Sequence, residues 1–445
     1  MRIVFILAFL AIFSAIAIFC ITTPFFSYKE AVIAEVIKET SASFSLMPIY
    51  NGKLFLRLPL FYAWIAVVFC KIFSFLPFST KVLLRLLSLS SIFSLLGLCF
   101  VMFEKKEEYF LFLIFFLAIP DVLKAFISIS PVPFLAVIDF LVIACACGFL
   151  EKESVLLKRL YYLFLGIVFA SQGLLACLAL FTLSLVFVLF RSPKKTLKLL
   201  FCFSAPILFL LPVSLYVAVF YFKFHNFNFF LKLLAPLAPH PEFKFNLYTV
   251  ERELFSMLKE FFAPLVTVLI LPFVLNSEDT GAYLLYAVSF FILGLCFVLF
   301  SGVYPFNPTF LLLSRLFLAG FFACLLAKRE YLAWALRVSF LWLAFGIFIF
   351  SLETTCLADK ITYRTSIIKS VMESIAEEKV AFWKRINPIM LYYLGAPRPV
   401  INSETQIANL HPRYIISRKS LSGTKIYRIL FDPYTKKLYY ILKLY

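Results

Sequence analysis

Two carboxylates, three cations and two aromatic side chains that can do chemistry fall within one segment of a mostly apolar chain: Glu30 and Glu35, Lys29, Lys53 and Arg57, Tyr28 and Trp64. A carboxylate can take a proton from an attacking group, and ammonium or guanidinium groups can hold an anionic headgroup. Arg57 suits that task best, because a planar guanidinium makes two hydrogen bonds to one anion. A headgroup carried on a lipid tail must be handled at the membrane boundary, since ionised groups are costly in hydrocarbon. The same residues are open to structural roles. Ser27-x-x-Glu30 is a capping box, Glu35 fits a solvated helix charge, the cations fit snorkelling side chains, and Trp64 fits an interfacial aromatic belt.

The elements that must position these residues are membrane helices. Of 445 residues, 63% are hydrophobic, 15% are charged and 59 are Phe, a balance that excludes soluble enzymes and DNA binders. An apolar helix needs roughly 20 residues to cross a bilayer core of about 30 Å. Apolar runs lie at 3–22, 60–78, 81–103, 109–128, 131–150, 160–190, 197–222, 261–275, 282–300, 307–327 and 331–352. The run at 160–190 is long enough for two short spans that meet near Ser171-Gln172-Gly173. The expectation is an α-helical integral membrane protein with roughly 11–13 transmembrane helices, its first run an uncleaved signal-anchor.

The formal charge of +18 reads as topology and contact with anionic lipid, with no nucleic acid partner. Basic loops at 104–108, 151–159, 191–195 and 328–329 are assigned to the cytoplasm, which puts the loops 24–60 and 223–260 and the tail outside. The two apolar runs between residues 60 and 104 then give one crossing too many, so 60–78 is expected to lie along the interface or to be re-entrant. The ten Cys are scattered through apolar runs, and His225, His240 and His411 stand far apart, so neither a disulfide framework nor a metal centre is expected.

Residues 1–352 form the membrane domain in this reading, and 353–445 a small soluble extracytoplasmic α/β domain. The tail holds 15 Lys or Arg against 7 Asp or Glu. Ile367, Ile368, Val371 and Ile375 give one helical face. Strands are expected at 379–383, 414–416, 425–431 and 437–444, with a short helix opening at Ser403-x-x-Gln406. In the first outer loop a helix opens at Ser27, with Ile33, Val36 and Ile37 on one face and Glu35, Lys38 and Glu39 elsewhere, suited to lying flat on a membrane. The second outer loop carries Ala235-Pro-Leu-Ala-Pro-His240-Pro and an amphipathic helix through Val250, Leu254, Leu258 and Phe261.

The first loop resembles that of the C-type (GT-C) glycosyltransferases that draw sugar from a polyprenyl phosphate, above all protein mannosyltransferases and lipid A aminoarabinose transferases. Glu30, Ala34-Glu35, Pro48, Asn51-Gly52, Pro59 and Trp64 carry the likeness. It extends more weakly to Ser130-Pro131, to Ser171-Gln172-Gly173 and, in the tail, to residues 389–400 and 412–416. Lys29 stands where the family has the acceptor-activating Asp, Val132 where it has a second acidic residue, Gln172 where it often has Lys, and Arg57-Leu58 where it has Glu-Lys.

The resemblance implies inverting transfer of a sugar from a polyprenyl-phosphate donor to a lipid or protein acceptor on the outer face of the cytoplasmic (inner) membrane. Glu30 and Glu35 are then the candidate bases, and Lys29, Lys53 and Arg57 the donor-phosphate partners. Tyr28, Trp64, Gln172 and His240 are candidate substrate contacts, and no metal or other cofactor is implied. The departures at charged positions support a second reading, a non-catalytic descendant that binds polyprenyl phosphate or acts as a partner subunit in envelope assembly. A transporter ranks behind both, because few polar residues interrupt the membrane runs.

Overall fold

The computed structural model describes residues 25, 27–55, 58–100, 103, 106–191, 193–200, 204–224, 308–326, 343, 364–421, 424–433 and 436–444. The first loop folds as α1 (Tyr28–Ala42) followed by a two-residue-per-arm hairpin, β1 (Ile49–Tyr50) and β2 (Lys53–Leu54). Asn51 and Gly52 make its turn with φ of 51° and 73°, the left-handed conformation that Asn-Gly adopts most readily. Then come α2 (Leu60–Ile72), α3 (Thr80–Cys99), α4 (Lys106–Leu117), α5 (Pro120–Ile127), α6 (Val132–Lys152) and α7 (Val155–Gln172). They are followed by α8 (Leu174–Arg191), α9 (Pro193–Leu200), α10 (Ala205–Phe224) and α11 (Pro308–Leu326).

The chain divides into two compact units. One joins residues 1–87, 127–130 and 351–445, so the first loop and the tail belong to the same body; the other holds 88–126 and 131–350. Among the described residues α3, Val132–Leu150 of α6, and α7 are long and apolar enough to cross a membrane. Lys194–Leu200 and Ala205–Val219 qualify together as a pair bent by 47°. The expected runs at 3–22, 261–275, 282–300 and 331–352 lie outside the described residues. One expectation changes. The run at 109–128 is two helices, because Pro120 cannot continue α4 and instead opens α5. The run at 60–78 yields only the 13 residues of α2, about 20 Å of helix and too short for a span of about 30 Å, in keeping with the expectation that this run does not cross.

In the second unit α7 packs against both α6 and α10, and α4 against α11. Gly166 permits the approach of α10, since a Cβ there would lie only 3.2 Å from the Phe209 Cα. The break foreseen near 171–173 is present: α7 ends at Gln172, and Gly173 caps it with φ 96° before α8 begins. Tyr161 of α7 and Ser184 of α8 share a buried hydrogen bond of 2.7 Å across that break.

In the first unit the tail forms a mixed α/β module. A helix at 364–374 buries Ile368 and Val371 of the face read from the sequence and also Met372, and Ile375 of that face is buried just past the helix end. After it come β3 (Val380–Trp383), α12 (Pro388–Leu394), β4 (Val400–Ile401), α13 (Glu404–Leu410), β5 (Tyr414–Ser417), β6 (Lys425–Asp432) and β7 (Lys437–Lys443). The sheet order is β4-β3-β5-β7-β6. β3 runs parallel to β4 and β5, while β7 is antiparallel to β5 and β6. Asn387 starts α12 by accepting hydrogen bonds from the backbone N–H of Ile389 and Met390, and its amide donates to Asp432 at 2.9 Å.

Candidate functional site

Helix α1 begins as its sequence dictates. Ser27 caps it, accepting a 3.3 Å hydrogen bond from the Glu30 N–H. The Glu30 carboxylate turns inward. It pairs with the Arg85 guanidinium of α3 at 3.3 Å, and its other oxygen accepts the Ile129 N–H at 3.2 Å. Both side chains are almost wholly excluded from solvent, 3% exposed for Glu30 and 0% for Arg85. One carboxylate thus joins the first loop, α3 and the segment before Ser130-Pro131. Arg85 is the residue that sequence reasoning missed. Its signal was an arginine inside an apolar run, which in a membrane segment marks a partnered or functional charge.

One turn and a half further on, the solvated reading of Glu35 is overturned. Glu35 is 0% exposed and Glu39 8% exposed, because α12 and the β1–β2 hairpin both pack on this part of α1. Glu39 accepts the backbone N–H groups of Asn51 at 2.8 Å and Gly52 at 3.0 Å, clasping the hairpin turn. Thr40 holds the arm before it, its hydroxyl accepting the Ile49 N–H at 2.9 Å. Glu35 has no such donors. Neither of its oxygens receives a hydrogen bond, and burial, reinforced by the Glu39 carboxylate one turn away and opposed by Lys38, pushes its carboxyl up to about 8. Near neutral pH it keeps its proton, which it can donate to Glu39.

The C-terminal module closes over the same helix. The Tyr28 hydroxyl donates to the Ile386 carbonyl at 3.0 Å, and burial holds its pKa well above the usual phenol range. Lys38 donates to the Tyr392 carbonyl at 3.2 Å and sits 4.9 Å from the centre of that ring. Phe25 meets the same ring edge-on at 5.0 Å. Asn51 and Arg398 exchange two hydrogen bonds: the Asn51 amide donates to the Arg398 carbonyl at 2.8 Å, and the Arg398 N–H donates to Asn51 at 2.6 Å. The Asn-Gly pair is therefore a junction of the hairpin, α1 and the tail.

The remaining candidates are dispersed. Lys29 and Lys53 are both exposed, and they lie towards opposite ends of α1, because the hairpin that carries Lys53 is clasped by Glu39, ten residues or about 15 Å of helix beyond Lys29. The Trp64 indole N–H donates to the Leu46 carbonyl at 2.8 Å, tying α2 to the loop after α1. Gln172 belongs to the other unit, where its amide donates to the buried Asp139 of α6 at 2.5 Å. Arg57, His240 and residues 225–260 of the second outer loop lie outside the described residues. Among the described residues no group of three or more His, Cys, Asp or Glu is placed to hold a metal ion.

No family model and no curated protein sequence matches the chain. Solved structures do. The crystal structure of ArnT from Cupriavidus metallidurans bound to undecaprenyl phosphate superposes with a TM-score of 0.73 at 12% identity, covering 98% of each chain. The same protein in the apo state gives a TM-score of 0.56 at 13% identity, over 99% of this chain and 98% of that one. Over nearly its full length the chain therefore has the fold of ArnT.

Proposed function

We propose that the protein is a membrane glycosyltransferase that moves a sugar from a polyprenyl-phosphate donor to a lipid or protein acceptor on the outer face of the cytoplasmic membrane, where its C-terminal module also lies. The observation that carries this reading is the likeness in fold, over nearly the full length of both chains, to a protein crystallised with undecaprenyl phosphate. The presence of Glu30, Ser130 and Asn51-Gly52 in one unit supports it, since these positions carry part of the sequence resemblance.

In such a transfer the acceptor's hydroxyl or amine attacks the anomeric carbon. The bond to the donor phosphate breaks, the polyprenyl phosphate leaves as an anion, and the acceptor's proton passes to a base. Of the two candidate bases Glu30 is tied up in its ion pair with Arg85, which leaves the role to Glu35, whose carboxyl burial pushes up to about 8. Glu30, tied to Arg85, positions the loop. Lys29, Lys53 and Arg57 attract the donor phosphate. Tyr28, Trp64 and Gln172 hold protein partners and act as struts.

One observation favours the second reading, a polyprenyl-phosphate binder without turnover. Both candidate bases are shut away from solvent in this conformation, one in an ion pair and the other holding its proton. The discriminating experiment uses the purified full chain in nanodiscs, with undecaprenyl phosphate and with lipid-linked sugars extracted from bacterial membranes, read by mass spectrometry. Release of undecaprenyl phosphate from a donor, lost in Glu35→Gln while lipid binding persists, supports the transferase. Binding without turnover of any donor supports the second reading, and failure to bind the lipid refutes both.

A further inference from the structure

Away from the segment 27–64, the open end of the β6–β7 hairpin borders a cavity of about 770 Å³ that the proposed transfer does not use. Its wall is apolar at Ile407, Ile426, Tyr427 and Leu444 and cationic at Lys425 and Lys443. The two lysines are direct cross-strand partners. Like charges opposite one another in an antiparallel pair are destabilising unless a counter-charge sits between them. No ion pair to a carboxylate is formed by either ammonium among the described residues, and both side chains are exposed. Arg413, on the same rim, is already paired with Glu378.

The strand beside these lysines is built unusually. A register shift between Ile426 and Arg428 interrupts the ladder, and bulges of this kind re-aim side chains at binding sites. Tyr427, at the shift, packs its ring 5.2 Å from Tyr414. Residues 425–429 are exposed without the alternation of a half-buried strand, so Ile426, Tyr427 and Ile429 present apolar surface at 45–51% exposure next to the cations. The volume is that of a small-molecule site, and the lining joins paired positive charge to an apolar wall.

The geometry points to this groove as a binding site for an anionic amphiphile. Its phosphate or carboxylate head is held between Lys425 and Lys443, and its apolar body lies along Ile426, Tyr427 and Leu444. The head can come from a membrane lipid or from a free anion, and the test separates the two. The full chain in phosphatidylcholine nanodiscs is irradiated with a photoactivatable phosphatidylglycerol, and the labelled peptides are mapped. Label is expected on the peptide that carries Ile426 and Tyr427. Lys425→Ala with Lys443→Ala should lower it about thirtyfold, at about 1 kcal/mol per lysine. Lys437→Ala, at the far end of the same hairpin, should leave it unchanged. Equal labelling of the double variant overturns the proposal. So does equal labelling of wild-type protein by a phosphatidylcholine probe, an arm that stays decisive whatever the variants do. Complete competition by inorganic phosphate would assign the groove to a free anion and overturn the amphiphile, whereas label that survives excess phosphate supports it.

Discussion

Replacing Glu35 by Gln should abolish a pH dependence of stability that the wild-type protein carries. The Glu35 carboxyl is pushed up from 4.5 to about 8 by burial. Below 4.5 it is neutral in both the folded and the unfolded chain. Between 4.5 and about 8 the unfolded chain releases the proton and the folded chain retains it, so the folded state binds more protons and stability falls as pH rises. The slope is about 1.4 kcal/mol per pH unit, and the whole window is worth on the order of 5 kcal/mol. Above about 8 the buried carboxylate is ionised without donors, and the penalty is fully present. Gln is uncharged throughout and keeps an N–H to offer Glu39. The assay is thermal unfolding of the detergent-solubilised protein, followed by Trp fluorescence at one scan rate from about pH 5 to about pH 9. The difference between variant and wild type cancels the titration of every other group. The variant's apparent Tm should climb relative to wild type by several degrees across that range. Parallel profiles would refute the buried, protonated state of Glu35.

Two further predictions test the joints of the first loop. Glu30→Ala leaves Arg85 buried without its carboxylate and should cost about 3–5 kcal/mol in urea or thermal unfolding, whereas Glu30→Ala with Arg85→Met should recover more than half of that loss; additive losses would contradict the pair. Asn51→Ala removes both hydrogen bonds to Arg398 and places a residue with Cβ but no side-chain hydrogen bonding at φ 51°, for a loss of about 2–4 kcal/mol. Limited proteolysis should then cut the variant faster than wild type between residues 43 and 55, and an unchanged rate would count against this docking.

Much of the fold is legible because it follows from local rules. The apolar runs become α3, α6, α7, α10 and α11; the turn at 51–52 follows from Asn-Gly; and the break at 173 follows from a glycine with positive φ. The tail strands match the alternating stretches to within a residue or two. Pro120 is the exception that local rules could have caught, since a proline readily opens a helix and breaks the one before it, although Pro212 stays inside α10. The candidate site is only half legible. Ser27-x-x-Glu30 and the Asn-Gly turn are visible as motifs, but what their side chains bind is not.

The sequence by itself determined that this is a membrane protein, roughly where several of its described helices lie, and that the tail is an α/β module. Tertiary structure alone decided the charge state and partners of the residues in the first loop. Glu30 meets an arginine 55 positions away, and Tyr28 meets a carbonyl 358 positions away. Glu35 and Glu39 differ by one helical turn, yet one is clasped by two N–H groups and the other keeps its proton. Helical periodicity says which way a side chain points. The cost of its charge depends on how much water and how many donors surround it, and those are supplied by chain segments that come together only on folding.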